Sequence, residues 1–295
     1  MWTGLRRANP SIFFLLPAVA AIILLTIVPL VYSLYLSLTS YELGRAYLGM
    51  KFIGLDNYIT AIKDIRFLMS ILRTLIFVAI TVTVEFGLGL ALALLFNREF
   101  KGRGLVLTIM MVPFMIAPIA VGFLWWMIYD VNYGPLNHLV VDIFHLSPNP
   151  VAWTADPRIA LYSIILTDIW QYTPFMMLIL LAGLRSIPPE PYEAALIDGA
   201  SGLAIFRHIT LPLLKPAILV AILIRTIDAF KVYDLVYLLT FGGPGTASEV
   251  ASFYIYLTGF RHFRIGYAAA QSYILLIIIS ILVTILIRII RRGAR

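Results

Sequence analysis

The sequence predicts an all-α integral membrane protein of six transmembrane helices, with a helix-turn-helix in the connection between the fourth and the fifth. Composition is the first reason. Of 295 residues 61% are hydrophobic, only 22 are basic and 15 acidic, and the mean hydropathy is +0.96. Soluble domains run nearer half apolar and a quarter charged, so a water-soluble fold is excluded. The second reason is that six apolar stretches each reach the roughly 20 residues that a helical crossing needs. They cover 11–38, 68–96, 105–129, 159–184, 217–240 and 266–287, and the chain reads as a single transmembrane domain over 1–295. The absence of cysteine excludes disulfides, thiol catalysis and cysteine metal sites.

The first stretch follows Arg6 and Arg7 and holds Ala18-Val19-Ala20, which resembles a signal-peptidase site. Its apolar run continues about eighteen residues further, too long for a cleaved signal, so an uncleaved first helix is expected. Charge then sets the orientation. The N-terminal tail, the second and fourth connections and the C-terminal tail hold 12 Lys/Arg against 4 acids, and the other three connections hold 7 against 7. Arg98, Lys101 and Arg103 crowd one short loop, while Arg288, Arg291, Arg292 and Arg295 close the chain. The positive-inside bias therefore places both termini in the cytoplasm. It also accounts for the net +7 without nucleic acid as a partner.

The fourth connection, 185–216, is too strongly patterned for a linker. Pro191 suits a first helical turn, and Tyr192, Ala195, Leu196 and Gly199 fall at i, i+3, i+4 and i+7 as one apolar stripe. Gly199 can end that helix in the left-handed conformation, Ser201 can cap the next, and Pro212 and Pro216 are expected to stop it.

These same residues carry a family resemblance. Glu193-Ala194-Ala195, three residues, Gly199, nine residues, then Ile209, Leu211 and Pro212 resembles the E-A-A-x3-G-x9-I-x-L-P loop of ABC importer permeases. In that family the loop is a coupling helix seated in a cleft of the ATPase subunit. Two further stretches, Phe52-Ile53-Gly54-Leu55-Asp56-Asn57-Tyr58 and Thr240-Phe241-Gly242-Gly243-Pro244, resemble the carbohydrate-uptake branch, of trehalose/maltose or sugar-alcohol type and the first of two paired permeases. Read by themselves, both are also ordinary turns. The short third connection leaves no room for the extra external domain of some maltose permeases.

Charges at bilayer depth cost roughly 2.5 to 3.5 kcal/mol each on insertion scales. Arg225, Asp228, Lys231 and Asp234 alternate in sign at steps of three, either as a self-paired ladder or as the lining of a wet cavity. Asp168, Trp170, Gln171 and Tyr172 precede Pro174 and offer hydrogen-bonding groups beside aromatic faces, the pairing that sugars need. The resemblance places both groups on the substrate pathway, and an interfacial aromatic belt is the other reading of Trp170 and Tyr172. Glu85 and Arg73 read as packing or snorkelling residues, and Gly266 with Ala270 as a small-residue helix contact.

Other signals lead nowhere. Gly199-Ala200-Ser201-Gly202 matches a rhomboid-type serine motif, yet Ser201 lies in a loop and neither His208 nor His262 falls within a later span as a base. Gly242-Gly243-Pro244-Gly245 lacks the lysine of a phosphate loop, and the histidines show no metal-ligand spacing. The resemblance implies a non-enzymatic permease subunit of a prokaryotic cytoplasmic-membrane importer, moving a disaccharide or related sugar or polyol by alternating access. It also implies a second permease, two ATPase subunits carrying ATP and Mg, and an external sugar-binding protein, with no cofactor on this chain. The alternative is a proton-coupled secondary transporter with Asp168 or Glu85 as relay.

Overall fold

A computed structural model describes residues 10–292, which are helical apart from their connections and one isolated bridge between Thr39 and Phe52. Among the described residues five helices are long and apolar enough to cross a membrane, or six with a bent pair counted as one crossing. The chain divides into two compact units. One takes the chain up to Ile65 with Ile255–Ile274, and the other takes Arg66–Tyr254 with the chain from Leu275 on.

In the first unit the long helix α1 (Leu15–Ser37) contains a π turn at Ile23–Ile27. A regular ladder would press the Pro29 ring onto the Leu25 carbonyl, and the wider turn relieves that clash. The stretch from Phe52 to Tyr58 closes on the end of this helix. Gly54 turns the chain at φ +59, and α2 (Asp56–Lys63) then presents Asn57. The Asn57 amide donates to the Ser37 and Thr39 carbonyls at 2.9 and 2.8 Å, and the Tyr58 hydroxyl lies 2.7 Å from Ser37 Oγ. The family-like motif is thus a clasp that satisfies carbonyls at a helix end.

The last helix, Ile265–Arg292, starts against the same chain segment. The Gly266 N–H donates to the Tyr41 carbonyl at 2.9 Å, and a Cβ there would run into the Thr39 carbonyl and stand 3.0 Å from that of Leu36. Backbone atoms cannot step aside, so Gly266→Ala is expected to lower stability by about 1 to 3 kcal/mol through overpacking. Thermal unfolding of the purified protein in detergent measures this, with Gly104→Ala, whose added methyl meets nothing within 4 Å, as the neutral control.

The second unit is built on α3 (Ile65–Asn97), α6 (Ala160–Arg185) and α8 (Gly202–Ala229). Ala93 and Phe96, Met176, Met177, Leu180 and Leu184, and Leu214, Ile218 and Ala221 form its buried apolar core. Small residues let the backbones close. Gly183 faces the Ala217 methyl and Leu214, and Gly89 lies beneath Met176.

Two predicted spans are corrected here. The third, 105–129, is two helices, α4 (Arg103–Met115) and α5 (Pro118–Ile128), bent by 95°. Pro118 forces Ala117 out of the helical region to ψ 137, which breaks the ladder at Ile116 and Ala117. The fifth, placed at 217–240, runs instead over Gly202–Ala229, so Pro212 and Pro216 do not stop a helix. A π turn at Phe206–Thr210 widens the ladder ahead of Pro212, and packing of Leu214 and Ile218 against α6 carries the helix past Pro216. The helix ends at Ala229 with no glycine or proline nearby. Beyond it the Ser252 hydroxyl takes the Val232 carbonyl, and Tyr233 stacks toward Phe253 at 6.1 Å between centroids.

After that break come α9 (Asp234–Leu239) and the glycine-rich turn. Gly242 has φ +79, and a Cβ there would stand 2.7 Å from the Phe253 ring. The nearly enclosed Glu249 carboxylate then accepts two bonds from Arg66, at 2.6 and 2.8 Å.

Candidate functional site

Three helices of the second unit meet around one guanidinium. Arg225 on α8 is 1% exposed, and its Nε and Nη2 donate to the two oxygens of Glu85 on α3 at 2.6 and 2.9 Å. Nη2 also donates to Asp168 on α6, and Nη1 reaches Asp228, one turn along α8, at 3.4 Å. The guanidinium lies over the Tyr172 ring, 4.1 Å from its centroid, an attraction between a cation and the negative face of the ring. Charges removed from water persist only when paired and hydrogen-bonded, and arginine's planar fork can serve several carboxylates at once.

This cluster forms one wall of a cavity of about 170 Å³. Asp168, Gln171 and Tyr172 reach it because they stand at i, i+3 and i+4 on α6, one face of a helix. Arg225 and Asp228 reach it from α8, Lys231 and Asp234 from the broken segment after it, and Pro118 from the start of α5. Seven of the eight polar and aromatic residues singled out for the pathway therefore share one space. The exception is Trp170. Two residues from Asp168, it falls on the far side of α6 and packs edge-on against Trp125 at 5.6 Å.

The charge ladder is also revised. Along the chain only Arg225 and Asp228 pair, because the helix ends before Lys231, which stands exposed with no ion pair among the described residues. Arg225 finds its main partners on other helices instead. Glu85, read as a packing residue, is fully enclosed and belongs to this cluster. Its lone charge in mid-span is the signal that could find it, but the spacing names no partner.

Gln171 has a structural duty as well. Its Nε2 donates to the Ile116 carbonyl at 3.1 Å, the group that the break before Pro118 frees. Its Oε1 is buried and lacks a hydrogen-bond partner.

The connection between α6 and α8 folds as a short helix and a tight turn. The helix α7 (Glu190–Ile197) has Pro191 in its first turn. Gly199, at φ +73, donates its N–H to the Leu196 carbonyl at 3.1 Å, and the Ala200 N–H reaches Ala195 at 2.9 Å, a Schellman ending. Ser201 caps α8, accepting from the Ala204 N–H at 3.3 Å. The expected apolar stripe is divided. Ala195 is buried and the Tyr192 hydroxyl donates to Thr210 Oγ1 at 3.3 Å, whereas Leu196 and Ile197 point outward at 65% and 87% exposure. Ala195 and Leu196 are neighbours about 100° apart around a helix, so only one of them can face inward. Glu193 and Ala194 are exposed with them, Ile209 and Leu211 are half-buried, and Pro212 is exposed on the outer side of α8.

Residues 85–295 match the family described as the binding-protein-dependent transport system inner membrane component. The chain belongs to that family. This permease is 40% identical over 288 residues to a probable ABC transporter permease protein, y4oQ, of Sinorhizobium fredii, covering 98% of this chain and 92% of that one. It is 36% identical over 262 residues to the trehalose/maltose transport system permease protein MalF of Thermococcus litoralis, covering 88% and 85%. A crystal structure of a bacterial ABC transporter involved in the import of the acidic polysaccharide alginate superposes at a TM-score of 0.81. It is 26% identical and covers 96% of this chain and 95% of its own. The protein is thus a multi-pass membrane permease component, a transport protein and not an enzyme.

Proposed function

We propose that this permease is the first of a pair in an ATP-driven importer that carries a disaccharide or related sugar or polyol across a prokaryotic cytoplasmic membrane by alternating access. The observation that carries the substrate class is the cavity itself. Carboxylates, a buried amide and the Tyr172 ring from two helices converge on one small space, the combination that hydroxyls and apolar sugar faces require. Relatives named for trehalose/maltose and trehalose transport support it. A relay role for Glu85 or Asp168 is disfavoured, because both are engaged with Arg225.

In this reading a second permease, two ATPase subunits and an external sugar-binding protein complete the machine. The chain holds no cofactor, and ATP and Mg belong to the ATPase pair. Leu196, Ile197 and the equally exposed Leu203 form an apolar docking face beside Glu193 for the ATPase. The decisive experiment is uptake of radiolabelled trehalose and maltose by proteoliposomes holding the full complex and the binding protein. ATP-dependent uptake supports the reading, and uptake driven by a proton gradient without ATP overturns it.

In the same reading both termini face the cytoplasm, which thiol chemistry can test because the chain has no cysteine of its own. Lys101→Cys is expected to react with a membrane-impermeant maleimide only in inside-out vesicles, and Asn149→Cys only from the outer side. The reverse pattern overturns the assignment.

A further inference from the structure

We propose that Glu85 is a positioning residue of the transport cavity, holding Arg225 from its buried side so that Asp228 can exchange Arg225 for the hydroxyl of a polyhydroxylated solute. The solute class rests on the sugar reading above; the positioning does not.

The three carboxylates around Arg225 are not equivalent. Glu85 takes two donors at 2.6 and 2.9 Å, its side chain is 0% exposed, and it is absent from the cavity wall. Asp168 lines the cavity, yet its side chain is only 3% exposed and it is bound to the same Nη2. Asp228 makes one long contact at 3.4 Å, its side chain is 46% exposed, and it faces the cavity. Bidentate guanidinium–carboxylate contacts are the strong and directional ones, whereas a single long contact to a hydrated carboxylate is weak. A solute hydroxyl therefore competes for Asp228 and not for Glu85.

Geometry also says what happens without Glu85. The Nε and Nη2 edge of Arg225 is occupied from behind, and the Tyr172 ring at 4.1 Å limits tilting of the guanidinium plane. With glutamine at 85, that edge keeps one neutral acceptor and loses its charged bidentate partner. Asp168 already holds Nη2 closely, so of the two carboxylates that stay in contact Asp228, one turn away on the same helix and joined by a single long bond, is the one with a contact left to tighten. Asp228 would then be withdrawn from the cavity although no cavity residue had been changed.

The test is carboxyl labelling of the full complex in nanodiscs with a water-soluble carbodiimide and an amine, read residue by residue by mass spectrometry. In the unmodified protein Asp228 is expected to label while Glu85 and Asp168 do not. Glu85→Gln should lower Asp228 labelling about tenfold as the pair closes. Glu85→Asp, one methylene shorter and unable to engage both nitrogens fully, should give an intermediate fall; it also decides the matter if the glutamine variant does not assemble. Asp228 labelling equal to the unmodified protein in either assembled variant overturns the positioning role, since a residue that only stabilises packing leaves that rate unchanged. Trehalose and maltose are then added as probes. Protection of Asp228 by either sugar supports the exchange step. Protection by neither, with the Glu85 effect intact, overturns the sugar reading and leaves the positioning role standing.

Discussion

Arg225→Met is expected to remove most of the assembled, detergent-stable protein, the largest effect of any single substitution in the chain. The change strands Glu85 and Asp168, both nearly inaccessible to water, without the cation that their oxygens share. Breaking a buried ion pair by deleting one partner costs about 3 to 5 kcal/mol, a large fraction of a typical stability of about 5 to 15 kcal/mol. Removing the charges together avoids that penalty. The triple variant Glu85→Gln, Asp168→Asn and Arg225→Met should therefore recover most of the yield and melting temperature that the single variant loses. Asp228→Asn should cost little by the same measures, because its side chain is 46% exposed and its contact long. Yield by size-exclusion chromatography and melting of the purified complex check all three. A triple variant as poor as the single would mean that the cluster is required for folding beyond charge balance.

The second large effect is expected at Gly199, read through uptake. Gly199 has φ +73, and a Cβ there would meet nothing within 4 Å, so conformation and not crowding limits substitution. An ordinary L-residue pays roughly 1 to 2 kcal/mol in the left-handed region, a β-branched one more, and asparagine least. Gly199→Val should therefore undo the Schellman ending between Ala200 and Ala195, re-aim α7 and lower ATP-driven uptake to about a tenth, while the helices stay inserted. Gly199→Asn should transport nearly as well as the unmodified protein. If valine and asparagine behave alike, the turn geometry does not transmit the ATPase stroke. If valine also blocks membrane insertion, the residue is needed for folding and not for coupling.

The amino-acid sequence by itself determined what depends on neighbours a few residues apart. The bilayer demands about 20 apolar residues per crossing, so the crossings Leu15–Ser37, Ile65–Asn97, Ala160–Arg185 and Ile265–Ile289 stand close to where hydropathy puts them. The Gly199 turn, the Ser201 cap and the α6 face carrying Asp168, Gln171 and Tyr172 follow from periods and local backbone preferences. Tertiary structure decided the rest. Which carboxylate Arg225 meets depends on bringing together residues 140 positions apart, and nothing in the spacing around Glu85 encodes it. The clasp of Asn57 on the end of α1, the use of Gln171 to satisfy the freed Ile116 carbonyl, and the ending of α8 at Ala229 likewise come from groups on other elements. Prolines show the division most plainly. Pro118 breaks its span, whereas Pro212 and Pro216 lie in a helix that continues, because a π turn and packing against α6 supply there what the proline ring takes away.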